Sequence, residues 1–168
     1  MITNLFKSTN LSKLGKMFLF AVLLSNMAFS QNTGFGSLAS DRTEPIEFNS
    51  DRLIFNQAGN LAELFGGVKI IQGKTVLSAD YVKAVYSKTN KLEKVFAERN
   101  IELKSDEDIA RADTAIYSLM ENSIALTGNA QLMQGSNNIM ADQILINTET
   151  GLTELLGNVK TFISPSTN

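Results

Sequence analysis

Four aspartates, each behind a small residue, recur along the chain as "SD" at Asp51 and "AD" at Asp80, Asp113 and Asp142. Carboxylates in such a set are what a protein needs for paired acid and base chemistry, or for an oxygen-ligand cation site. Catalysis singles out one or two positions, however, and does not decorate every unit of a chain at a fixed place. An aspartate that returns in register is better suited to capping its own turn through its side chain. The chain has no cysteine, histidine or tryptophan, which excludes disulfides, Cys/His zinc sites, cysteine nucleophiles and histidine-based triads. An enzyme is not expected, and neither a metal nor a cofactor. The remaining chemistry is cationic: Lys69, Lys74, Lys83, Arg99 and Lys104 suit phosphate oxygens, against the plainer reading of a solvated face of alternating charge.

The elements that place these aspartates come from an internal repeat. A second marker stands as "GG" at Gly67, "RN" at Asn100, "GN" at Asn129 and "GN" at Asn158. From each marker to the next aspartate is thirteen residues (67 to 80, 100 to 113, 129 to 142), and from aspartate to marker is sixteen, twenty, sixteen and sixteen. The extra four fall in "YSKTNKLEK", residues 86–94. Regularity of this kind marks a chain built of similar units of about 30 residues. Gly and Asn tolerate positive φ, so the two markers belong where a strand bends or reverses.

Side-chain parity gives the interior. After the aspartates stand Leu53, Val82, Ala115 and Ile144, then Phe55, Ala84, Tyr117 and Ile146. After the second markers stand Val68, Ile101, Ala130 and Val159, then Ile70, Leu103, Leu132 and Thr161; three before them are Leu64, Ala97, Leu126 and Leu155. Successive strand residues face opposite sides, so these sets line one face, while Lys69, Glu102, Gln131 and Lys160 line the other. One unit cannot hide such a face alone. The expected fold is all-β: an antiparallel sheet folded over on itself, jelly-roll or solenoid-like, built from four such units around an elongated apolar interior. The small inward residues Ala84, Ala97, Ala115 and Ala130 leave that interior unfilled unless the opposite wall compensates.

At the N-terminus, Lys7, Lys13 and Lys16 precede the apolar run "MFLFAVLL" and the small residues Ala28 and Ser30. This is the order of a cleavable signal peptide over residues 1–30, and the run is shorter than the roughly 20 residues that span a bilayer. Residues 31–44 read as a flexible leader, 45–163 as the β domain and 164–168 as a tail. Without residues 1–30 the formal charge is 12 − 17 = −5, which argues against a nucleic-acid partner.

The segments "IEFNSDRLIFN", "LFGGVKIIQGKTVLSADYVKAVY", "VFAERNIELKS", "IALTGNAQLMQGSNNIMADQILIN" and "GLTELLGNVKTF" resemble the LptA/OstA family of periplasmic lipopolysaccharide-transport proteins over about residues 45–163. The first two markers, "GG" and "ERN", depart from the family's Gly-Asn, and the tail "SPSTN" is short. The resemblance implies a twisted antiparallel β-jelly roll of about sixteen strands in the periplasm. It also implies a cleft for lipopolysaccharide acyl chains, copies that join end to end, and LptC-like inner-membrane and LptD-like outer-membrane partners. The inward residues Phe48, Leu53, Phe55, Val68, Ile70, Val82, Ile101, Leu103, Leu126, Leu132, Ile144 and Ile146 are then the candidate groove. Two other readings share the pattern: an LptC-like acceptor still anchored by its N-terminus, and an exported β-solenoid that binds polysaccharide.

Overall fold

The computed structural model describes residues 35–163. The expected signal peptide and tail lie outside the described residues. A short helix, α1 (Leu38–Asp41), leads into ten strands: β1 (Ile46–Asn49), β2 (Arg52–Asn56), β3 (Leu61–Gln72), β4 (Thr75–Tyr86), β5 (Leu92–Ser105), β6 (Asp108–Ser118), β7 (Ser123–Gln134), β8 (Asn137–Asn147), β9 (Thr153–Leu156) and β10 (Lys160–Phe162). They form one antiparallel sheet in the order β1-β3-β4-β5-β6-β7-β8-β10, with β2 on the other half of β3 and β9 on the other half of β8.

The six long strands all bend where the sequence markers fall. Register shifts interrupt each successive pairing, between Phe65 and Val68, Ser78 and Tyr81, Glu98 and Ile101, Arg111 and Thr114, and Thr127 and Ala130. These are β-bulges, which bend a strand by adding residues to one side of a ladder. The bulged pairs Gly66-Gly67, Arg99-Asn100 and Gly128-Asn129 are all left-handed, as is Gly157-Asn158 between β9 and β10. Asn100, Asn129 and Asn158 each donate from Nδ2 to the aspartate of the neighbouring strand, Asp80, Asp113 and Asp142, at 2.8 Å. Three of the four aspartate-to-marker intervals are therefore side-chain hydrogen-bonded pairs; at the first corner the Asp51 amide donates to the Gly66 carbonyl instead. Arg99 holds φ of +64° where the other corners have glycine, so the departure "ERN" keeps the bend.

Bent strands divide the sheet into two walls. Residues on one side of the corners make a wall bounded by β2 and β9, and those on the other make a wall bounded by β1 and β10. Both contribute to one core: Leu64, Val82, Leu126 and Ile144 from the first, Val68, Leu77, Leu103 and Leu132 from the second. There are ten strands among the described residues where about sixteen were expected, because the long strands pass through the corner unbroken. Only at the two margins, where no further strand supports the bend, does the chain separate into β1 and β2, and into β9 and β10.

At one end of the walls the loops are tight. Gly73-Lys74, Asp106-Glu107 and Gly135-Ser136 are two-residue hairpins whose first residue has positive φ, a turn geometry matched to strand twist. The loops at the other wall's end, 87–91, 119–122 and 148–152, are longer. The four-residue insertion lengthens the β4–β5 hairpin.

The expectation of a flexible leader is corrected over residues 35–44. Phe35 is 0% exposed and Leu38 4%, and both join the core. The buried Asp41 accepts hydrogen bonds from the Ser37 hydroxyl, the Lys74 and Thr75 amides and the Thr75 hydroxyl at 2.8–3.0 Å. Two apolar side chains within a single turn carry no periodicity, so composition alone reads them as loop.

The corner makes a stability prediction. A Cβ on Gly128 would lie 2.5 Å from the Asp113 carboxylate, at φ of +81°, whereas a Cβ on Gly135, at +56°, meets open space. Gly135→Ala should cost only the left-handed strain, about 1–2 kcal/mol. Gly128→Ala should cost about 1–2 kcal/mol more, since it also disrupts the carboxylate that accepts from Asn129. Urea denaturation of the two variants measures the difference; equal losses would contradict the role given to the corner.

Candidate functional site

The space between the walls is the candidate site. Val68, Ile70, Val82, Ile101, Leu103, Leu126, Leu132, Ile144 and Ile146 are all buried there. Cross-strand register explains why they converge: Leu64 pairs with Val82, Val82 with Ala97, Ala97 with Ala115, Ala115 with Leu126, and Leu126 with Ile144. Residues directly opposite in an antiparallel ladder share a face, so one row crosses the whole wall. A matching row crosses the second wall from Phe48 through Ile70, Leu77, Leu103, Ala110 and Leu132 to Ile139.

Three candidates sit at the margin. Phe48 on β1 is half-buried against the core. Leu53 and Phe55 on β2 pair with the buried Leu64 and Ala62, so they have inward parity, yet each is 60% exposed. At the end of the wall β2 has a neighbouring strand, β3, on one side only among the described residues, so these inward-parity side chains stay open to solvent. At the far margin Val159 is half exposed for the same reason, and Leu155 on β9 is half-buried beside Ile144. Apolar surface thus runs from one open margin to the other.

Several core residues were not among the candidates. Val95 and Ile124 stand five before the second markers, and Leu77 and Ala110 three before the aspartates. Extending the same parity by one step along the strand finds Val95 and Ile124; Leu77 and Ala110 lie across the corner bulge, where parity changes, and follow only from the cross-strand register with Ile70, Leu103 and Leu132. Phe35 and Leu38 carry no such signal.

The interior is filled. Ala84, Ala97, Ala115 and Ala130 are fully packed, so the opposite wall does compensate for their size. A cavity bordered by Leu38, Ile70, Leu77, Leu103, Tyr117 and Ile124 holds about 30 Å³ of free space, room for about one water molecule. Any apolar guest must displace side chains or part the walls.

The outer face is polar and aromatic. The Tyr81 hydroxyl donates to Glu63 Oε1 at 2.6 Å. That bond to a carboxylate, with burial and the nearby negative charge, pushes its ionisation up to about 12. Phe65 packs on Tyr81 with ring centroids 5.2 Å apart, and Arg52 lies 4.3 Å over Phe65. Of the basic candidates, Lys83 covers Phe96 at 4.9 Å, Arg99 approaches Glu98 at 3.7 Å, and Lys74 approaches Asp106 at 3.4 Å. These contacts are exposed and worth little individually. Asp80, Asp113 and Asp142 are occupied at the corners, and among the described residues no group of three or more acidic side chains could hold a metal ion.

Residues 47–152 match the family described as LptA/(LptD N-terminal domain) LPS transport protein. The chain is similar to the lipopolysaccharide export system protein LptA of Escherichia coli (strain K12), with 28% identity over 141 residues, 79% of this chain and 75% of that protein. It is also similar to an uncharacterized protein of Rhizobium meliloti (strain 1021), with 26% identity over 146 residues, 80% of this chain and 78% of that one. The fold matches LptH, the LptA-homologous periplasmic component of the lipopolysaccharide transport device of Pseudomonas aeruginosa. That match has a TM-score of 0.64 at 22% identity and covers 75% of this chain and 99% of that one. With the match spanning both walls from β1 to the loop before β9, the chain belongs to the LptA/LptD N-terminal domain family of lipopolysaccharide transport proteins.

Proposed function

We propose that this protein carries lipopolysaccharide through the periplasm, shielding its acyl chains between the two walls and joining inner- and outer-membrane components edge to edge. The observation that carries the reading is the apolar inner surface that continues to both margins and stays exposed there, at Leu53 and Phe55 on one side and Val159 on the other. A surface of this kind suits a guest that enters at one end and leaves at the other. Each methylene moved out of water is worth about 0.8 kcal/mol, so a few chains are held by apolar contact without a catalytic group. The cargo stays mobile because nothing in such contact fixes its register.

The margins also favour assembly. Among the described residues β1 and β2 end the sheet on one side and β9 and β10 on the other, each with a neighbouring strand on one side only. Edges of that kind accept another strand. Phe162 and Ile163 are exposed beside the second margin, so the β9/β10 margin of one copy can meet the β1/β2 margin of the next. LptC-like and LptD-like partners would use the same two margins. The export that this role needs is supplied by the N-terminal signal pattern.

A photo-crosslinker at Leu103 or Phe55 should capture lipopolysaccharide in cells, and one at Lys69 or Glu102 should not; crosslinks confined to the outer pair would overturn the interior path. In sedimentation, the purified protein should form oligomers that grow with concentration, and Phe55→Asp should suppress them. A monomer at every concentration would remove the end-to-end joining.

A further inference from the structure

The segment before β1 spans the gap between the two walls. On the tight-loop side, the Gly36 amide donates to Asp108 Oδ2 at 2.9 Å and the Ser37 amide to Ser105 Oγ at 3.0 Å. Asp41 is held by the β3–β4 turn through Lys74 and Thr75, and Gln72 Nε2 donates to the carbonyls of Arg42 and Glu44. On the long-loop side, the Phe35 amide donates to the Gly151 carbonyl at 2.9 Å, and Arg42 reaches Asn122 at 3.4 Å and Glu149 at 3.7 Å. The same ten residues therefore tie the ends of both walls.

Between those ties, the strap sends Phe35 and Leu38 inward. Both belong to the cluster that contains Leu103 and Ile124. A small cavity lies against the strap, bordered by Leu38, Asp41 and Arg42 on its side and by Leu103, Tyr117 and Ile124 on the walls. Phe35 and Leu38 thus fill the side opening of the interior with apolar groups, in the place where a chain entering between the wall ends would lie.

We propose that residues 35–44 are a built-in competitor for the interior: the strap holds the side opening shut, and an acyl chain gains entry by displacing Phe35 and Leu38. This rests on the acyl-chain reading given above and adds its regulation. The strap's grip is polar and centred on the buried Asp41, whereas its plug is apolar, so a lipid replaces the plug with like contacts while water reaches the polar groups that the strap uncovers. Displacement costs little net apolar burial, and it also releases the ties that join the two wall ends through this segment.

The chain has no cysteine, and the hydroxyls of Ser37 and Ser105 lie 3.3 Å apart, so the double variant Ser37→Cys/Ser105→Cys places a lock between the strap and the wall. Binding of cis-parinaric acid, and its displacement by lipid A, should be at least about tenfold weaker in the oxidised variant than in the same protein after reduction, as expected when the binding-competent state is withheld. Wild-type protein should be indifferent to the reductant. Phe35→Ala/Leu38→Ala should bind the probe more tightly than wild type, with circular dichroism confirming the sheet. Equal binding by the oxidised and reduced forms overturns the strap as a competitor and leaves the acyl-chain reading standing. Failure of wild type and every variant to take up the probe overturns that reading, and the strap's role with it.

Discussion

The hydrogen bond from a left-handed asparagine to an aspartate on the neighbouring strand is the contact on which this architecture depends. At Asn100 with Asp80, Asn129 with Asp113 and Asn158 with Asp142 it has the same atoms and the same 2.8 Å length. Each such pair fixes where its strand bends, and with the Gly66-Gly67 corner of β3, where the Asp51 amide donates to the Gly66 carbonyl, the bends fall in line. Bends in line turn one sheet into two facing walls. A single bond of this kind contributes only about 1 kcal/mol net; its larger effect is on register, since a slip of one residue would turn every inward side chain outward.

Facing walls then impose a constraint of their own. Two inner faces that are apolar throughout must be covered at both margins and between the wall ends. The molecule meets this requirement unevenly. Between the wall ends Phe35 and Leu38 complete the packing and Asp41 anchors them. At the margins Leu53, Phe55 and Val159 are left in contact with solvent. Edge strands and exposed apolar groups together are usually a hazard, and here they stand at both ends of one interior, which is why the proposed function assigns the margins to cargo and to assembly.

Much of this was legible in the residues. The corners could be read because a positive φ and a side-chain cap admit few residue types, so Gly, Asn and Asp had to recur at fixed spacing. The inward rows followed from parity, which the pairing of Leu64 with Val82 and of Leu126 with Ile144 reproduces. Parity reports a face but not what stands across from it, so the exposure of Leu53 and Phe55 at the end of a wall could not be read. Nor could the packing of the strap, because Phe35 and Leu38 are three residues apart in a segment with no further repeat. The strand count differed for a related reason: a bend and a break have the same residue signature, and only the presence of a neighbouring strand decides between them.

Magnetic resonance can place the proposed acyl chains between the walls directly. With methyl groups labelled in the protein and a nitroxide carried on an acyl chain of lipid A, the strongest relaxation enhancement should fall on Val82, Leu103 and Ile144, which are buried and inward-facing. Enhancement confined to exposed methyls such as those of Met140 and Leu152, with the interior signals unchanged, would contradict the account.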